Sequence, residues 1–283
     1  MKTANHPTGI TINFDASKHL YTDSRGLGPY DSVTRVVSSL FAPFDVDGSI
    51  ASRVASREGR TVSQVKASWA ATGDKACALG TRVHETSEAI LLGLPPPHAP
   101  TSPRERAAFA AAFSSASQIR ATCSSVHPEA IIADPASLTA GTCDLLAIRR
   151  RDSAPILLDW KTNKHIDATN AYGARALPPY SHLHDCHLVR YSLQLHIYAS
   201  ILRMHYLRAD EADRLVMVLV HLAPDNPDPQ WLEVLDLRRE AELVMMDRRR
   251  RVVDVLKRVK DAENAEKETE AAVPHEFMEG SGE

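Results

Sequence analysis

Apolar residues occur along the chain either in short runs or at helical spacing, and the two patterns predict different elements. Short apolar runs bounded by glycine, proline or charged residues are typical of strands. We therefore expect strands at 10–14, 19–22, 129–133, 142–148, 155–161, 214–223 and 231–237.

Apolar residues three or four positions apart predict helices, and capping residues mark several helix starts. Ser32 precedes one helix, and Ser102 with Pro103 and Glu105 forms the signature of a capping box before another. Gly93 and the prolines after it end a third. The predicted helices cover 33–40, 50–57, 62–71, 75–94, 103–119, 185–207 and 239–260.

The order of these elements indicates the fold class. Helices come first, followed by a three-stranded meander, a long helix and two further strands. This order predicts an α/β core with a central mixed β-sheet, helices on both faces and helical N-terminal additions. We expect one domain over 1–261, with a helical part at about 30–122 and a core at about 123–261. The Glu-rich segment 262–283 is predicted to be a disordered acidic tail.

Composition narrows the possible settings and partners. The 283 residues are 43% hydrophobic, and a net charge of −3 requires any nucleic-acid site to be a local basic patch. No stretch is apolar enough for a membrane span, and the N-terminus has no signal core. Four scattered cysteines predict free thiols in an intracellular, reducing compartment, which is cytoplasm or nucleus, with an organelle or a virus as open alternatives.

Asp159 and Lys161 close the apolar run at 155–161, which has the character of a buried strand. Side chains two apart in a strand point to the same face, whereas Trp160 points to the other. Burying an acid and a base is costly unless both face a ligand. The pair therefore indicates a site for a metal ion and a phosphate.

The preceding strand contributes a second acid. If 142–148 and 155–161 pair as an antiparallel hairpin with Ile148 opposite Pro155, four further steps bring Asp144 opposite Asp159. Their Cβ atoms would then lie roughly 5 Å apart. Two carboxylates at that distance repel each other, so a cation between them is expected. The prediction depends on the register, since a slip of one residue would separate the acids.

These residues resemble the PD-(D/E)xK nuclease superfamily, and within it the RecB-like exonuclease branch of the phage and mitochondrial genome maintenance type. The resemblance extends over about 10–260, and the segment 19–34 is similar to the opening of phage and mitochondrial members. Five elements occur in the family's order, and the ordered set is far more specific than any one of them. They are Gly80-Thr81-Arg82-Val83-His84-Glu85, Glu129, Gly141-Thr142-Cys143-Asp144, Asp159-Trp160-Lys161-Thr162 and Gln194-Leu195-His196-Ile197-Tyr198.

The resemblance implies a restriction-endonuclease-like core that binds Mg²⁺ or Mn²⁺. Oxygen ligands suit magnesium, so Asp144 and Asp159 are the first candidates. The resemblance adds the backbone carbonyl of Trp160, and His84 as a nitrogen ligand that would favour manganese. Glu129 is assigned either to a supporting contact or to a second metal ion.

Other residues are expected to serve catalysis or to bind the substrate. Lys161 would orient or activate the attacking water and offset charge on phosphorus. Gln194 and Tyr198 share a helix face, from which they could hold Lys161, the acidic strand or DNA. Residues expected to contact substrate are Arg82, Lys164, Tyr198 and Tyr21, with Tyr30, Phe41 and Phe44 as further aromatic residues that could stack on bases.

Each residue also has a plainer interpretation. His84 alone would be an ordinary core or surface histidine, and Asp144 alone a turn residue. Asp159 with Lys161 could be a salt bridge, and Tyr198 could be core packing. The arginines at 149–151 and 248–251 could grip phosphates, although such runs are more often solvated faces. The ordered set of motifs favours the interpretation of these residues as a nuclease site.

The leading hypothesis is a metal-dependent DNA exonuclease that processes single-stranded ends in replication, repair or recombination. One alternative is a nonspecific or structure-specific endonuclease on DNA or RNA, and another is a nuclease-like scaffold that binds nucleic acid. Some relatives carry an iron–sulfur cluster, but no cysteine follows Cys186 here, so we expect none. Helicase motifs are also missing from the sequence, so a helicase, polymerase or single-strand-binding protein would be a separate partner, and no membrane partner is expected.

Overall fold

A computed structural model of the chain describes residues 1–43 and 49–271. The chain begins with a small antiparallel sheet in which β2 lies between β1 and β3. Ile12 and Phe14, two positions apart on the predicted strand β2, are buried. The first strand was not predicted because its four residues are mostly exposed. The strands are β1 (Lys2–Asn5), β2 (Thr11–Asp15) and β3 (Leu20–Asp23).

The second sheet is mixed, as predicted. Its strands run in the order β4-β6-β7-β8-β9. Strand β5 lies outside this order and pairs with β6 along the edge opposite to β7. The β4–β6 and β7–β8 pairs are parallel, whereas β5–β6, β6–β7 and β8–β9 are antiparallel. The strands are β4 (Asp31–Ser32), β5 (Cys123–Asp134), β6 (Thr139–Arg149), β7 (Pro155–Lys161), β8 (Val216–His221) and β9 (Gln230–Leu232).

Helices cover both faces of this sheet, which confirms the predicted α/β class. Apolar residues of α1, α5 and α7 form one buried cluster with Leu157 and Leu219, and those of α3 and α4 form another with Leu158 and Trp160. No helix in the described ranges has the length and apolar character needed to cross a membrane. The helices are α1 (Val33–Ser38), α2 (Ser49–Glu58), α3 (Val62–Leu92), α4 (Pro103–Thr122), α5 (His187–His205), α6 (Ala209–Asp213) and α7 (Arg238–Ala271).

Two details of the helices differ from the sequence prediction. The segments 62–71 and 75–94 form one helix, α3, because Gly73 continues the helical backbone and Gly93, with φ of 74°, ends it. The Ser102 side chain accepts a hydrogen bond from the Glu105 N–H as predicted. The Glu105 carboxylate instead accepts bonds from the backbone and hydroxyl of Thr101, so the capping box is not reciprocal.

The end of the chain also differs from the prediction. The last helix continues past 260 through Ala271, into the segment that the sequence predicts to be a disordered tail. Residues 272–283 of that predicted tail lie outside the described residues, and so does Phe44.

Candidate functional site

The β6–β7 hairpin has the predicted register. Ile148 pairs with Pro155, and the ladder continues to Leu145 and Leu158. The regular pairing ends there, one step before Asp144 and Asp159. The carboxylate of Asp144 instead accepts a hydrogen bond of 2.7 Å from the backbone N–H of Trp160. Both acids therefore lie where the two strands separate.

Glu129 lies at the same level on the strand at the other side of β6. The neighbouring pairs are Pro128 with Leu145 and Ala130 with Cys143, which place Glu129 opposite Asp144. Glu129 has a left-handed backbone, with φ of 51°. That conformation costs a non-glycine residue roughly 1–2 kcal/mol. Three neighbouring strands, β5, β6 and β7, thus each bring one acid to the same level of the sheet.

Helix α3 adds a histidine to this group. The Nδ1 atom of His84 lies 3.3 Å from Oδ1 of Asp144. Ligand atoms of His84, Glu129 and Asp144 all lie within 4.8 Å of one another. Each Mg–O bond is about 2.1 Å long, so ligand atoms around one ion are separated by roughly 3–4 Å. Small side-chain rotations would close this group around a divalent cation.

Asp159 has different partners, Lys161 and Gln194. Lys161 Nζ lies 2.7 Å from its Oδ2 atom, and the Gln194 amide nitrogen donates to its Oδ1 atom at 3.3 Å. Lys161 also donates to the Gln194 side-chain oxygen at 3.3 Å. Apart from the ion pair, Oδ2 is buried without a hydrogen bond within the described part of the chain. The Lys161 ammonium group thus occupies this oxygen, and Asp159, predicted as a metal ligand, lies outside the group formed by His84, Glu129 and Asp144.

The pKa values of the three acids reflect their burial and the charges around them. Burial acts to raise the pKa of Asp144, but the charge and hydrogen bond of His84 keep it below its ordinary value. Burial raises the pKa of Asp159 to about 6, opposed by Lys161 and reinforced by Asp144. Burial and the charge of Asp144 also raise the pKa of Glu129. A divalent cation would relieve this repulsion and favour the ionised acids.

The pKa values of the two basic residues of the site, His84 and Lys161, are both raised. Burial acts to lower the pKa of His84, but the charge and hydrogen bond of Asp144 raise it to about 9. Burial also acts to lower the pKa of Lys161, and Asp159 and Asp144 together raise it above the ordinary value. Without a metal ion, His84 and Lys161 therefore supply the compensating positive charge.

Tyr198 and Tyr21 are buried against strand β6, so the predicted contact of both with substrate is wrong, whereas the alternative contact of Tyr198 with the acidic strand is confirmed. They are 3% and 2% exposed. The Tyr198 hydroxyl donates to the Thr142 carbonyl at 3.0 Å, and the Tyr21 hydroxyl lies 2.9 Å from Oγ1 of Thr142. Gly141 leaves room for this packing, because a Cβ there would lie 2.7 Å from the Tyr198 ring. Both tyrosines thereby position the strand just before Asp144.

Neither of the predicted substrate-binding bases lines the cavity beside His84 and Glu129. Arg82 binds Glu105 at 2.9 Å and the Ala99 carbonyl at 2.6 Å, so its guanidinium faces helix α4. Lys164 lies in the loop after β7 and lines a cavity of about 290 Å³ with His221. The Trp160 side chain points into the α3–α4 cluster, opposite to Asp159 as predicted. Its carbonyl as a metal ligand stays a prediction.

A cavity of about 390 Å³ opens onto the three-donor group from the α3 side. His84 and Glu129 line it, together with residues that the sequence did not single out, among them Glu88 and Lys2. Lys2 lies 3.7 Å from the Glu129 carboxylate. No sequence pattern links Lys2 to the motifs, because β1 reaches this position only through the fold.

The ring of Tyr191 is another part of the site that the sequence analysis missed. Lys161 Nζ lies 4.7 Å from the centre of this ring, whose hydroxyl donates to Asn163 at 2.6 Å. Tyr191 precedes Gln194 by three residues and so shares its helix face. The sequence analysis could have found Tyr191 from this spacing to Gln194.

Comparisons with known proteins add no family assignment. No protein-family model matches the chain, and no curated protein matches it. A similar solved structure is that of SSO0001, with 18% identity, coverage of 77% of this chain and 73% of that chain, and a TM-score of 0.30. At that TM-score the likeness carries no argument about fold or function.

Proposed function

We propose that this chain is a divalent-metal-dependent DNA exonuclease with a restriction-endonuclease-like core of the RecB-like PD-(D/E)xK type, acting on single-stranded ends. One observation carries the proposal. Ligand atoms of His84, Glu129 and Asp144 gather within 4.8 Å. They do so beside the ion pair of Asp159 and Lys161, at the end of the hairpin where the motifs predicted a site.

The donor set indicates which cation would bind. Asp144, Glu129 and Asp159 offer hard carboxylate oxygens, which suit Mg²⁺ and Mn²⁺. His84 adds a nitrogen, which makes Mn²⁺ more competitive. When bound, such an ion lowers the pKa of a coordinated water and neutralises charge on the phosphate. To hold such an ion, His84 would have to be a neutral imidazole and not the protonated partner of Asp144.

Lys161 has a role set by its protonation. Its pKa is raised, so at neutral pH it is an ammonium ion and not a free base. In that state it stabilises negative charge that develops on phosphorus and its oxygens. Gln194 contacts both Asp159 and Lys161, and so it fixes the distance between the acid and the ammonium group. Gln194 is therefore a positioning residue in this mechanism.

The direct test is a degradation assay with single-stranded DNA labelled separately at its two ends. We expect cleavage with Mg²⁺ or Mn²⁺ and none in EDTA. Asp144→Asn should lower the rate by roughly 100-fold or more, because it removes a charged ligand. Asp152→Asn is the matched control, since Asp152 lies at the opposite end of the same hairpin and pairs with Arg149. Full activity in chelator, or a wild-type rate for Asp144→Asn, would refute the proposal.

Circular single-stranded DNA separates the exonuclease from the endonuclease. An exonuclease leaves the circle intact while it degrades the linear strand of the same sequence. Cleavage of the circle would still support a metal-dependent phosphodiesterase, but the activity would be that of an endonuclease and not of an exonuclease. Comparison of the two end labels gives the polarity.

A further inference from the structure

A row of side chains leads from the candidate site along helix α5 towards solvent. Lys161 Nζ lies 4.7 Å from the centre of the Tyr191 ring. The centre of that ring lies 6.0 Å from the centre of the His187 ring, with 24° between the two ring planes. The Lys161 side chain is 17% exposed and that of His187 is 41% exposed. The row therefore begins at the buried ammonium group and ends at the surface.

A cavity of about 350 Å³ lies at the outer end of this row. His187 lines it together with Arg190 of the same helix and Tyr172 of the loop between β7 and α5. Tyr172 is 97% exposed, so nothing in the described part of the chain covers its ring. Aromatic rings stack on other flat rings, and nucleobases are flat rings that stack on protein side chains in this way.

The backbone holds Tyr172 at this position. The side-chain oxygen of Asn170 accepts hydrogen bonds from the N–H groups of Tyr172 at 2.8 Å and Ala174 at 3.2 Å. The side-chain amide of Asn170 donates to the Asp185 carbonyl at 2.8 Å. The same turn contains Gly173, whose φ of 72° favours glycine. The loop thus presents an uncovered ring from a turn that is fixed to the start of α5.

The charged groups of the cavity pair with one another. Asp167 lies 3.1 Å from His187, and Asp185 lies 2.6 Å from Arg190. The Arg190 guanidinium also lies over the Phe41 ring, 4.0 Å from its centre. Two carboxylates in the cavity disfavour a phosphate group there. An uncharged, flat base matches the rings of the cavity, so the base is the part of a nucleotide that fits.

The distance to Lys161 relates this cavity to the cleaved bond. The two ring contacts place the His187 ring within about 11 Å of the ammonium group, which about three nucleotides span at a rise of 3.4 Å per nucleotide. A base in the cavity would therefore belong to one of the first few nucleotides beside the phosphate that meets Lys161.

We infer that Tyr172 and His187 form a stacking subsite for an unpaired base of the strand that is cleaved at Lys161. The inference rests on the proposed function, because it takes the substrate of that site as its ligand. Stacking is tolerant of sequence, since every base has a π-face. A base within a duplex is covered by its neighbours and is not free to enter. The subsite therefore selects single strands and does not select their sequence.

Fluorescence anisotropy with two labelled strands tests the subsite. One strand is an oligothymidine, and the other has the same backbone without bases. EDTA prevents cleavage during the measurement. Wild type should bind the oligothymidine roughly 10-fold or more tightly than the abasic strand. Tyr172→Ala and His187→Ala should each weaken binding of the oligothymidine by about 5- to 50-fold and leave binding of the abasic strand unchanged.

Conservative variants separate stacking from other roles. Tyr172→Phe and His187→Phe keep a ring and should keep the preference for the strand with bases, although His187→Phe loses the pairing with Asp167. Phe113→Ala is the matched control, because Phe113 is an aromatic residue that is 59% exposed on helix α4. Circular dichroism checks that each variant is folded.

Three outcomes would overturn the subsite. They are equal binding of the two strands by wild type, a preference that survives both alanine variants, and a preference that Phe113→Ala or His187→Phe abolishes equally. Cleavage of the oligothymidine by wild type with Mg²⁺ tests the proposed function separately. Metal-dependent cleavage without a base preference would retain the nuclease and refute the subsite. A base preference without cleavage would retain the stacking surface and refute the nuclease.

Discussion

The two strand acids at this site, Asp144 and Asp159, bind different sets of neighbouring residues. Asp144 accepts the N–H of Trp160 and contacts His84, while Asp159 is shared by Lys161 and Gln194. The two acids therefore have different partners, and their pKa values move in opposite directions. One acid stays ionised near the histidine, while the other becomes easier to protonate.

Gln194 should affect the rate more than substrate binding. Gln194→Ala removes the contact that spaces Asp159 from Lys161, so we expect kcat to fall about 10- to 100-fold with little change in KM. Steady-state kinetics on single-stranded DNA measure both constants. Gln118→Ala, at an exposed position on α4, provides the control. An unchanged kcat would show that Gln194 does not position the pair.

Metal affinity should increase with pH. The pKa of His84 is about 9 without metal, so at neutral pH a cation must displace its proton. The protonated fraction falls as pH rises, and Mn²⁺ should therefore bind more tightly at pH 8.5 than at pH 6.5. Calorimetry in buffers of different ionisation enthalpy should detect about one proton released per ion. His84→Gln should remove most of that release, and an equal release in both proteins would contradict the assignment.

At the scale of elements, the site depends on strand β6 and on the residues packed beside it. Glu129 and Asp159 lie on the strands to either side, and Thr142 is held by the hydroxyls of Tyr21 and Tyr198. Gly141 allows Tyr198 to approach the strand closely. The motif residues Gly141 and Tyr198, distant in sequence, thus form one packing contact.

Gly141→Ala should be destabilising, by about 1–3 kcal/mol, because its Cβ would lie 2.7 Å from the Tyr198 ring in a packed core. Gly73→Ala is a useful comparison. Gly73 lies inside helix α3, where an added Cβ meets nothing within 4 Å, so this change should stabilise the protein by about 0.5–1 kcal/mol. Urea denaturation measures both. Equal effects of the two substitutions would contradict the packing argument.

At the scale of the whole molecule, Asp134 connects distant parts of the chain. It lies at the end of β5 and binds His205 of α5 at 3.0 Å and Arg249 of α7 at 2.8 Å. The ring of His6 from the N-terminal segment packs against His205. Arginines at 248 and 249, which could have gripped phosphates, are thus used to attach α7 to the body.

Asp134 should make stability sensitive to acid. Burial acts to raise its pKa, but hydrogen bonds from His205 and Ser137 and the charge of Arg249 lower it to about 2. The folded pKa is below the unfolded value, so the stabilisation is present above about pH 4 and is lost as pH falls towards 2. It amounts to about 2 kcal/mol. The stability difference between wild type and Asp134→Asn should shrink across this window, and a constant difference would contradict the assignment.

The sequence by itself determined the features that depend on near neighbours along the chain. The register assumed for the hairpin is confirmed, and it places Asp144 level with Asp159. Local hydrogen bonding gave the Ser32 and Ser102 caps. The continuity of α3 across Gly73 was not predicted. Residues 70–78 are exposed, so packing does not explain it; a single glycine costs a helix only about 1 kcal/mol, which the helical segments on both sides outweigh.

Only the tertiary structure decided which side chains meet. It placed Glu129 beside His84, buried Tyr21 and Tyr198, and turned Arg82 towards Glu105. Contacts of this kind join residues that are distant in sequence, and they depend on how whole elements pack. Periodicity describes which face of an element is apolar, but it does not determine the neighbour that face will meet.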